Sequence, residues 1–478
     1  VADNCVIDKY GRVAARKGWT VANVLNGELL TGAVEALGEL VDNAGDSTIL
    51  AAGSLRLYKL TGTTLTTLTY GGGGIAPTIT ANNWQIVSLN SVAIFWQTGH
   101  DPLIYDPAVS TTEYRRLSER SGAAGTISSC HTAINAYGRV WCASTATDKS
   151  TVAWSDVMAP HVWTGGTSGT LDLRQVWPGG TDEVMGFAAH NNFLFIFGRR
   201  QILIYAGAED PTTMRLSDTV VGVGCVTRDS IQSTGDDVLF MTDAGIVSLR
   251  RVIQEKSVPM VQASANIRSE IQDYIDAGGT VRSVFSITNA FYLLTFANNS
   301  KTYCFDTKGV LQSGALRVTT WNGYVARAYL ETRDRRLFIG KAGYIGEYSG
   351  YTDDGATYRM RYFSTWIDFG AESALTILKS LRAYVLTNGG QTIIFKWAYD
   401  FADTYASASS TIGAVSSNSK YNISEYMVGE YGPYARMNEL KVNCTSAGRL
   451  VQVGLETVVN GFNVAVQKID IYSKEGRL

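Results

Sequence analysis

The sequence predicts an all-β chain, and three features carry that prediction. Among 478 residues there are 48 glycines, 8 prolines, 25 tyrosines and 10 tryptophans. Aromatic and β-branched residues favour pleated, half-buried backbone, and glycine supplies the tight turns between strands. Apolar runs of strand length recur along the chain between Gly, Asn and Asp clusters, and hairpin-shaped units return every roughly 40 to 50 residues, the period of a stacked architecture.

Seven such units are legible: GSLRLYKLTGTTLTTL (53–68), SVAIFWQTGHDPLIYD (91–106), GRVWCASTATDKSTVAWSD (138–156), NFLFIFGRRQILIYAG (192–207), DVLFMTDAGIVSLRR (237–251), AFYLLTFANNSKTYCFD (290–306) and RRLFIGKAGYIGEYSG (335–350). Two strands alone cannot cover their apolar face, so the units must stack around a shared core, as in a β-propeller. In the fourth unit GRRQ reads as the turn between two alternating strands, with Gly198 supplying positive φ. In the fifth, TDAG turns through Asp243 and Gly245.

One helix is expected, over SANIRSEIQDYIDAGG. It places Ile267, Ile271, Tyr274 and Ile275 on one stripe, with Ser264 as N-cap and Gly278 as the stop, packed outside a blade. The stretch 28–41 has helical spacing through Leu30, Val34, Leu37 and Val41, but Gly32 and Gly38 leave strands as an equal alternative. Beyond residue 350 the strands lengthen and alternate, which predicts a β-sandwich-like domain. The expected division is an N-terminal segment, 1–50, pairing with the platform or the last blade; a propeller-like body, 51–350; and a sandwich-like domain, 351–478. Small polar residues at 402–422 read as a long mobile loop.

With 41 Lys and Arg against 43 Asp and Glu, the formal charge is −2, so no basic surplus exists for tight sequence-specific DNA binding. Six scattered cysteines, without a CxxC pair, read as free packed thiols, and Cys130 and Cys142 could face each other across a hairpin. No run approaches the roughly 20 apolar residues of a membrane span. Nor does VADNCVIDKYGRVAARKGW have the apolar centre of a signal peptide, and Val1 suggests a trimmed start.

Candidate chemistry is sparse. Ser155, Asp156 and His161 hold the residue types of a hydrolytic triad, yet Ser155 and Asp156 are adjacent at a strand end without a GxSxG elbow, and turn capping explains them better. His100, His131, His161 and His190 form no HxH or HxxxH pair, so no metal site is expected. No SxDxGxxW box of propeller sialidases is present. Gly71, Gly72, Gly73 and Gly74 lack the GK[ST] of a phosphate cradle and read as a loop tip, and RDRR (333–336) reads as a solvated basic turn. No catalytic residue, cofactor or metal ligand is assigned.

Taken in order, ADNCVIDKYGRVAARKGW, STVAWSDVMAPHVW, NNFLFIFGRRQILIYAG, GVGCVTRDSIQSTGDDVLFMTDAGIVSLRR, the SANIRSEIQDYI helix, WIDFG and VQKIDIY resemble the tail nozzle proteins of short-tailed bacteriophages, also called tail tubular protein B or packaged DNA stabilisation protein. The resemblance spans most of the chain but rests on hairpins and turns. It implies a homohexameric ring of propeller subunits below the portal and adaptor ring, assembled in the host cytoplasm and located in the virion tail. Such a ring conducts double-stranded DNA without reading its sequence, and supports tail fibres or a needle. A near-neutral wall suits a conduit, because each lumenal cation adds affinity and slows passage. The loops 69–83 and 402–422 are then expected as channel gates, through Gly71, Gly72, Gly73, Gly74, Ser407, Ser409 and Ser410. A carbohydrate-binding propeller adhesin, favoured by the many Tyr and Trp residues, and a propeller glycoside hydrolase are the alternatives.

Overall fold

The computed structural model describes residues 1–23, 33–53, 55–80, 84–259, 262–323, 325–369, 375–413 and 436–476. The chain is all-β, a β-propeller followed by a β-sandwich. Each of the seven hairpins read from the sequence forms part of one blade. Blade 1 is Val34–Val41, Ser47–Gly53, Arg56–Thr61 and Thr64–Tyr70; blade 2 is Trp84–Leu89, Val92–Gln97, Leu103–Tyr105 and Glu113–Arg116. Blade 3 comprises Cys130–Ala136, Arg139–Thr145, Thr151–Trp154 and Gly169–Asp172, and blade 4 comprises Val184–His190, Phe193–Gly198, Gln201–Ala206 and Arg215–Val221. In blade 5, Gln232–Ser233, Val238–Thr242 and Gly245–Ser248 lead into a short helix, α1 (Leu249–Glu255), where other blades have a fourth strand. Blade 6 is Val281–Ser286, Phe291–Phe296, Lys301–Val310 and Leu316–Trp321; blade 7 is Ala328–Glu331, Leu337–Lys341 and Tyr344–Glu347.

The first strand of each blade touches that of the next, and the first strand of blade 7 touches that of blade 1, so the ring closes. Apolar clusters fill the seams between neighbouring blades. Trp96 meets Trp163 edge-on between blades 2 and 3, Phe197 meets Phe240 between blades 4 and 5, and Tyr58 packs in one cluster with Phe338 between blades 1 and 7. Both faces of a blade are therefore covered. That is why Val92–Gln97 is buried throughout, and why Phe193–Gly198, expected to alternate, is buried at every residue but the first. The sandwich does alternate: Leu375–Thr387 exposes one face and buries the other.

The N-terminal residues stitch the two bodies together. Ala2–Asp3 runs parallel to Leu316–Trp321 of blade 6 and antiparallel to Tyr358–Phe363, making one nine-stranded sheet that passes from the propeller into the sandwich through Val451–Val459, Gln391–Tyr399 and Ala406–Ile412. The hairpin Cys5–Ile7 and Val13–Ala15 extends the opposite sandwich sheet, beside Val464–Gly476, Leu375–Thr387 and Arg436–Asn443. Thr20–Val21 then pairs with Tyr344–Glu347 and completes blade 7. Blade 1 starts at Val34, inside the segment expected to lie outside the propeller, because Val34–Val41 is a strand. Residues 28–32, where a helix was the alternative, lie outside the described residues.

Several local expectations need correction. Gly198 does not have positive φ; the glycine serves close approach, since a Cβ there would lie 2.5 Å from Asp182 Oδ2, which accepts the Arg200 amide. Positive φ falls instead on Asn191 and Asn192, in the preceding turn. Ser264 is not a side-chain cap: its Oγ accepts from the Ile246 amide, the segment opens as a 3₁₀ turn at Ala265–Ile267, and the α-helix proper, α2, is Arg268–Ala277. Gly278 does end it, at φ +66. Through Ile271, α2 packs into the seam between blades 5 and 6 rather than onto the outside of one blade.

The largest correction concerns 402–422. Ala406–Ile412 is not a loop but a strand, antiparallel to Gln391–Tyr399 from Trp397↔Ala406 to Gln391↔Ile412. The neighbouring strand pairs the side of its backbone that faces the sheet, and Ile412 is buried, so small polar composition did not prevent pairing. Ser407, Ser409 and Ser410 thus sit in a paired strand; residues 414–422 lie outside the described residues.

Candidate functional site

At one end of the propeller axis, charged side chains converge from blades that are far apart in sequence. Glu35 occupies a bulge in the first strand of blade 1, where the register shifts between Val34 and Ala36, and a bulge re-aims a side chain. Glu35 lies 3.8 Å from Arg282 of blade 6 and 3.4 Å from Arg327, just before blade 7. Arg282 also reaches Asp229 at 3.0 Å and donates through Nε to the Arg327 carbonyl at 2.7 Å. Arg228 crosses from the blade 5 side to the carbonyl of Trp84 in blade 2, at 3.2 Å.

These groups border a cavity of about 200 Å³, with Gln85, Gln232 and Ser283 on its walls. Burial is the main cause lowering the Arg228 pKa, with Asp229 opposing it. His131, on the first strand of blade 3, is pushed down to about 4 by burial and then by Arg228 and Lys149, so it is neutral at neutral pH. Both carboxylates are engaged by guanidinium groups. The network binds blades 1, 2, 5, 6 and 7 to one another through charge-assisted hydrogen bonds and ion pairs.

The residues singled out in the sequence are placed as follows. Ser155 is fully buried; its Oγ accepts from the Val140 amide and donates to the Asp156 carbonyl. Asp156 accepts from the Val157 and Thr167 amides and from the Thr167 hydroxyl, which hold its carboxyl below the usual range. His161 turns to Arg120, 3.0 Å away. Ser155 and Asp156 therefore bond the backbone around the turn, as expected, His161 stands apart from them on Arg120, and Trp154 and Trp163 anchor the seams on either side of blade 3. Gly71 and Gly72 are packed: a Cβ on Gly71 would overlap the Glu113 carboxylate, and one on Gly72 the Glu119 carboxylate and Tyr70. Gly73 and Gly74 have open space around them.

All six cysteines are buried and free, and burial together with the Cys130 thiol raises the Cys142 pKa. Among the described residues, no group of three or more His, Cys, Asp or Glu is arranged to hold a metal ion, and no helix is long and apolar enough to cross a membrane. The axial cluster escaped the sequence reading because its members are isolated charges at strand entrances; only ring closure brings them together. A bulge-prone charge inside an apolar strand, as in VEALGELV, was the available signal.

No protein-family model and no curated protein matches the chain. Solved structures similar to it include the WD40 β-propeller domain of Doa1, at 12% identity and TM-score 0.40, covering 69% of this chain and 96% of that one. The Neurospora crassa Pan2 WD40 domain is similar at 8% identity and TM-score 0.40, covering 70% and 95%. The extracellular domain of a protein described as a one-component system from B. thetaiotaomicron is similar at 9% identity and TM-score 0.43, covering 86% of this chain and 58% of its own length. The propeller stands on its own strand pairing and ring closure.

Proposed function

We propose that the chain is a non-enzymatic structural subunit of a short-tailed bacteriophage tail, forming the nozzle ring below the portal and adaptor. The single observation that supports this most is the N-terminal strap. One short segment enters the blade 6 sheet, both sandwich sheets and blade 7, so propeller and sandwich act as one stiff body able to hold a ring around DNA. Since an ion network crosses each propeller axis, this reading has DNA pass between the assembled subunits rather than through a propeller. In the ring, six copies surround the genome, contact the adaptor and carry fibres or a needle in the virion tail, after assembly in the host cytoplasm. Within the segment 71–74, Gly73 and Gly74 are the part left free to serve as a channel gate.

The test is to assemble virions without this chain and measure packaged DNA. Filled heads that lose their genome on release support the reading; heads that keep it, with tails of normal length, refute it.

A second reading, carbohydrate binding, is favoured by one feature. Phe401, 65% exposed at a hairpin tip, lies 4.8 Å from the ring of Trp366 and offers a stacking surface. Glycan binding lost in Phe401→Ala would favour it, and an array without signal would remove it.

A further inference from the structure

Ala406–Ile412 is the last strand of the nine-stranded sheet. One side of its backbone pairs with Gln391–Tyr399, and the other has no strand beside it among the described residues. Such an edge is a template for a further strand, and proteins guard theirs with charge, proline, a bulge or shortness. Other edges of this fold are guarded. Arg436–Asn443, which ends the second sandwich sheet, carries Arg436, Glu439 and Lys441. Arg215–Val221 carries Arg215 and Asp218, has a register shift, and receives Lys256 on its Thr219 carbonyl at 3.4 Å. Gly169–Asp172 has only four residues. By contrast ASASSTI runs for seven residues without charge, proline or shift in register, and only its Ile412 is buried.

The sandwich holds a second long edge. Val464–Gly476 pairs with Leu375–Thr387 along its whole length, but Val13–Ala15 covers its other side only at Ala465 and Val466. From Ile469 to Gly476 that side has no strand beside it among the described residues. Ile469 and Ile471 pack on the sandwich core there, yet are only partly buried. In the sheet order this edge is opposite Arg436–Asn443, which shares a flank with Ala406–Ile412. The two open edges are therefore on opposite flanks of one sandwich and are similar in length.

We propose that Ala406–Ile412 docks the Ile469–Gly476 edge of a second copy of this chain, through backbone hydrogen bonds that join the sandwiches of adjacent subunits. Edges on opposite flanks make a head-to-tail contact, and such a contact, repeated with a fixed rotation, closes a ring. A strand of small side chains has no pockets to offer, so the main chain supplies the affinity. One short strand pair buries less than the roughly 1,200 Å² of a stable interface, so copies join when an adaptor holds them side by side. The proposal rests on the ring reading and names its contact.

The experiment compares amide exchange in the isolated chain with that in the chain assembled on its portal–adaptor ring, read on peptides covering 406–412 and 469–476. Assembly is expected to slow the outward-facing amides of both segments together, by about a hundredfold. Lysines of the kind that guard natural edges, Ser407→Lys with Ser409→Lys, should raise the concentration for half-assembly about tenfold. Ser407→Thr with Ser409→Thr should leave it unchanged. Both serines are exposed, so neither pair of substitutions disturbs the core. A ring in which the two segments exchange as in the isolated chain overturns the proposal and leaves the ring reading standing. Protection of 406–412 already in the isolated chain means that the chain covers its own edge, and overturns the proposal as well. So does protection of 406–412 without 469–476. Absence of any ring removes both the proposal and the ring reading.

Discussion

Arg16 and Asp353 form a two-pronged ion pair, with Nη1–Oδ1 at 2.8 Å and Nη2–Oδ2 at 2.6 Å, in which the arginine side chain is wholly buried. The guanidinium carbon sits 4.1 Å from the Tyr358 ring centre, and Nε donates to Asn4 Oδ1 at 2.9 Å. Strap, propeller and sandwich meet at this pair, because Asn4 belongs to the strap, Trp321 of blade 6 lies beside the guanidinium, and Tyr358 opens the first sandwich strand.

Breaking a buried pair by removing one partner strands a charge. Asp353→Ala should cost about 3–5 kcal/mol, read as a lowered urea midpoint. Amide exchange should accelerate first in residues 2–21, since the strap loses its anchor before the blades do.

At the propeller axis, Arg282 bridges Glu35 and Asp229. Arg282→Met should leave two buried-edge carboxylates with less compensation and destabilise the protein by about 3 kcal/mol, whereas Arg327→Met, at a residue nearly half exposed, should cost well under that. Equal losses in the two variants would show that the network does not brace the ring.

The pH dependence of stability should carry the mark of His131. Its folded pKa, about 4, is below its ordinary value of 6.5, so the unfolded chain takes up a proton first as the solution is acidified. Stability from this residue is complete above about pH 6.5 and is lost as pH falls toward 4, by about 3 kcal/mol at most. Denaturant titrations from pH 7 to pH 4 should show a shallower decline for His131→Gln than for the wild type.

Thiol labelling reports on packing. Cys225 is pushed up to about 12 and Cys444 to about 11 by burial, and all six thiols are buried. The thiolate is the reactive form. The native protein should resist iodoacetamide at pH 8 and take six labels only when unfolded. Rapid native labelling at one site would mark a local opening there.

The seven hairpins were legible because each is local: an apolar run, a turn and a second run lie within one stretch of chain. What covers those hairpins was not, since two-sided burial depends on neighbouring blades, and so FLFIFG looked alternating when nearly all of it is interior. Helix α1 was missed because LRRVIQE gives only two buried positions to a periodic pattern, Leu249 and Val252. The strand Ala406–Ile412 was read as a loop because ASASSTI is polar and small, whereas its pairing is dictated by the backbone of Gln391–Tyr399. The axial charges come from ring closure, which no local window contains. His161 was noticed for chemistry with Ser155, and the fold aims it at Arg120 instead.

The central claim, a ring-forming tail subunit, is tested most directly by the native mass of the 51.8 kDa chain mixed with its portal–adaptor ring. The account predicts a complex carrying six copies. A chain that stays monomeric at every concentration, with and without the adaptor, would contradict it.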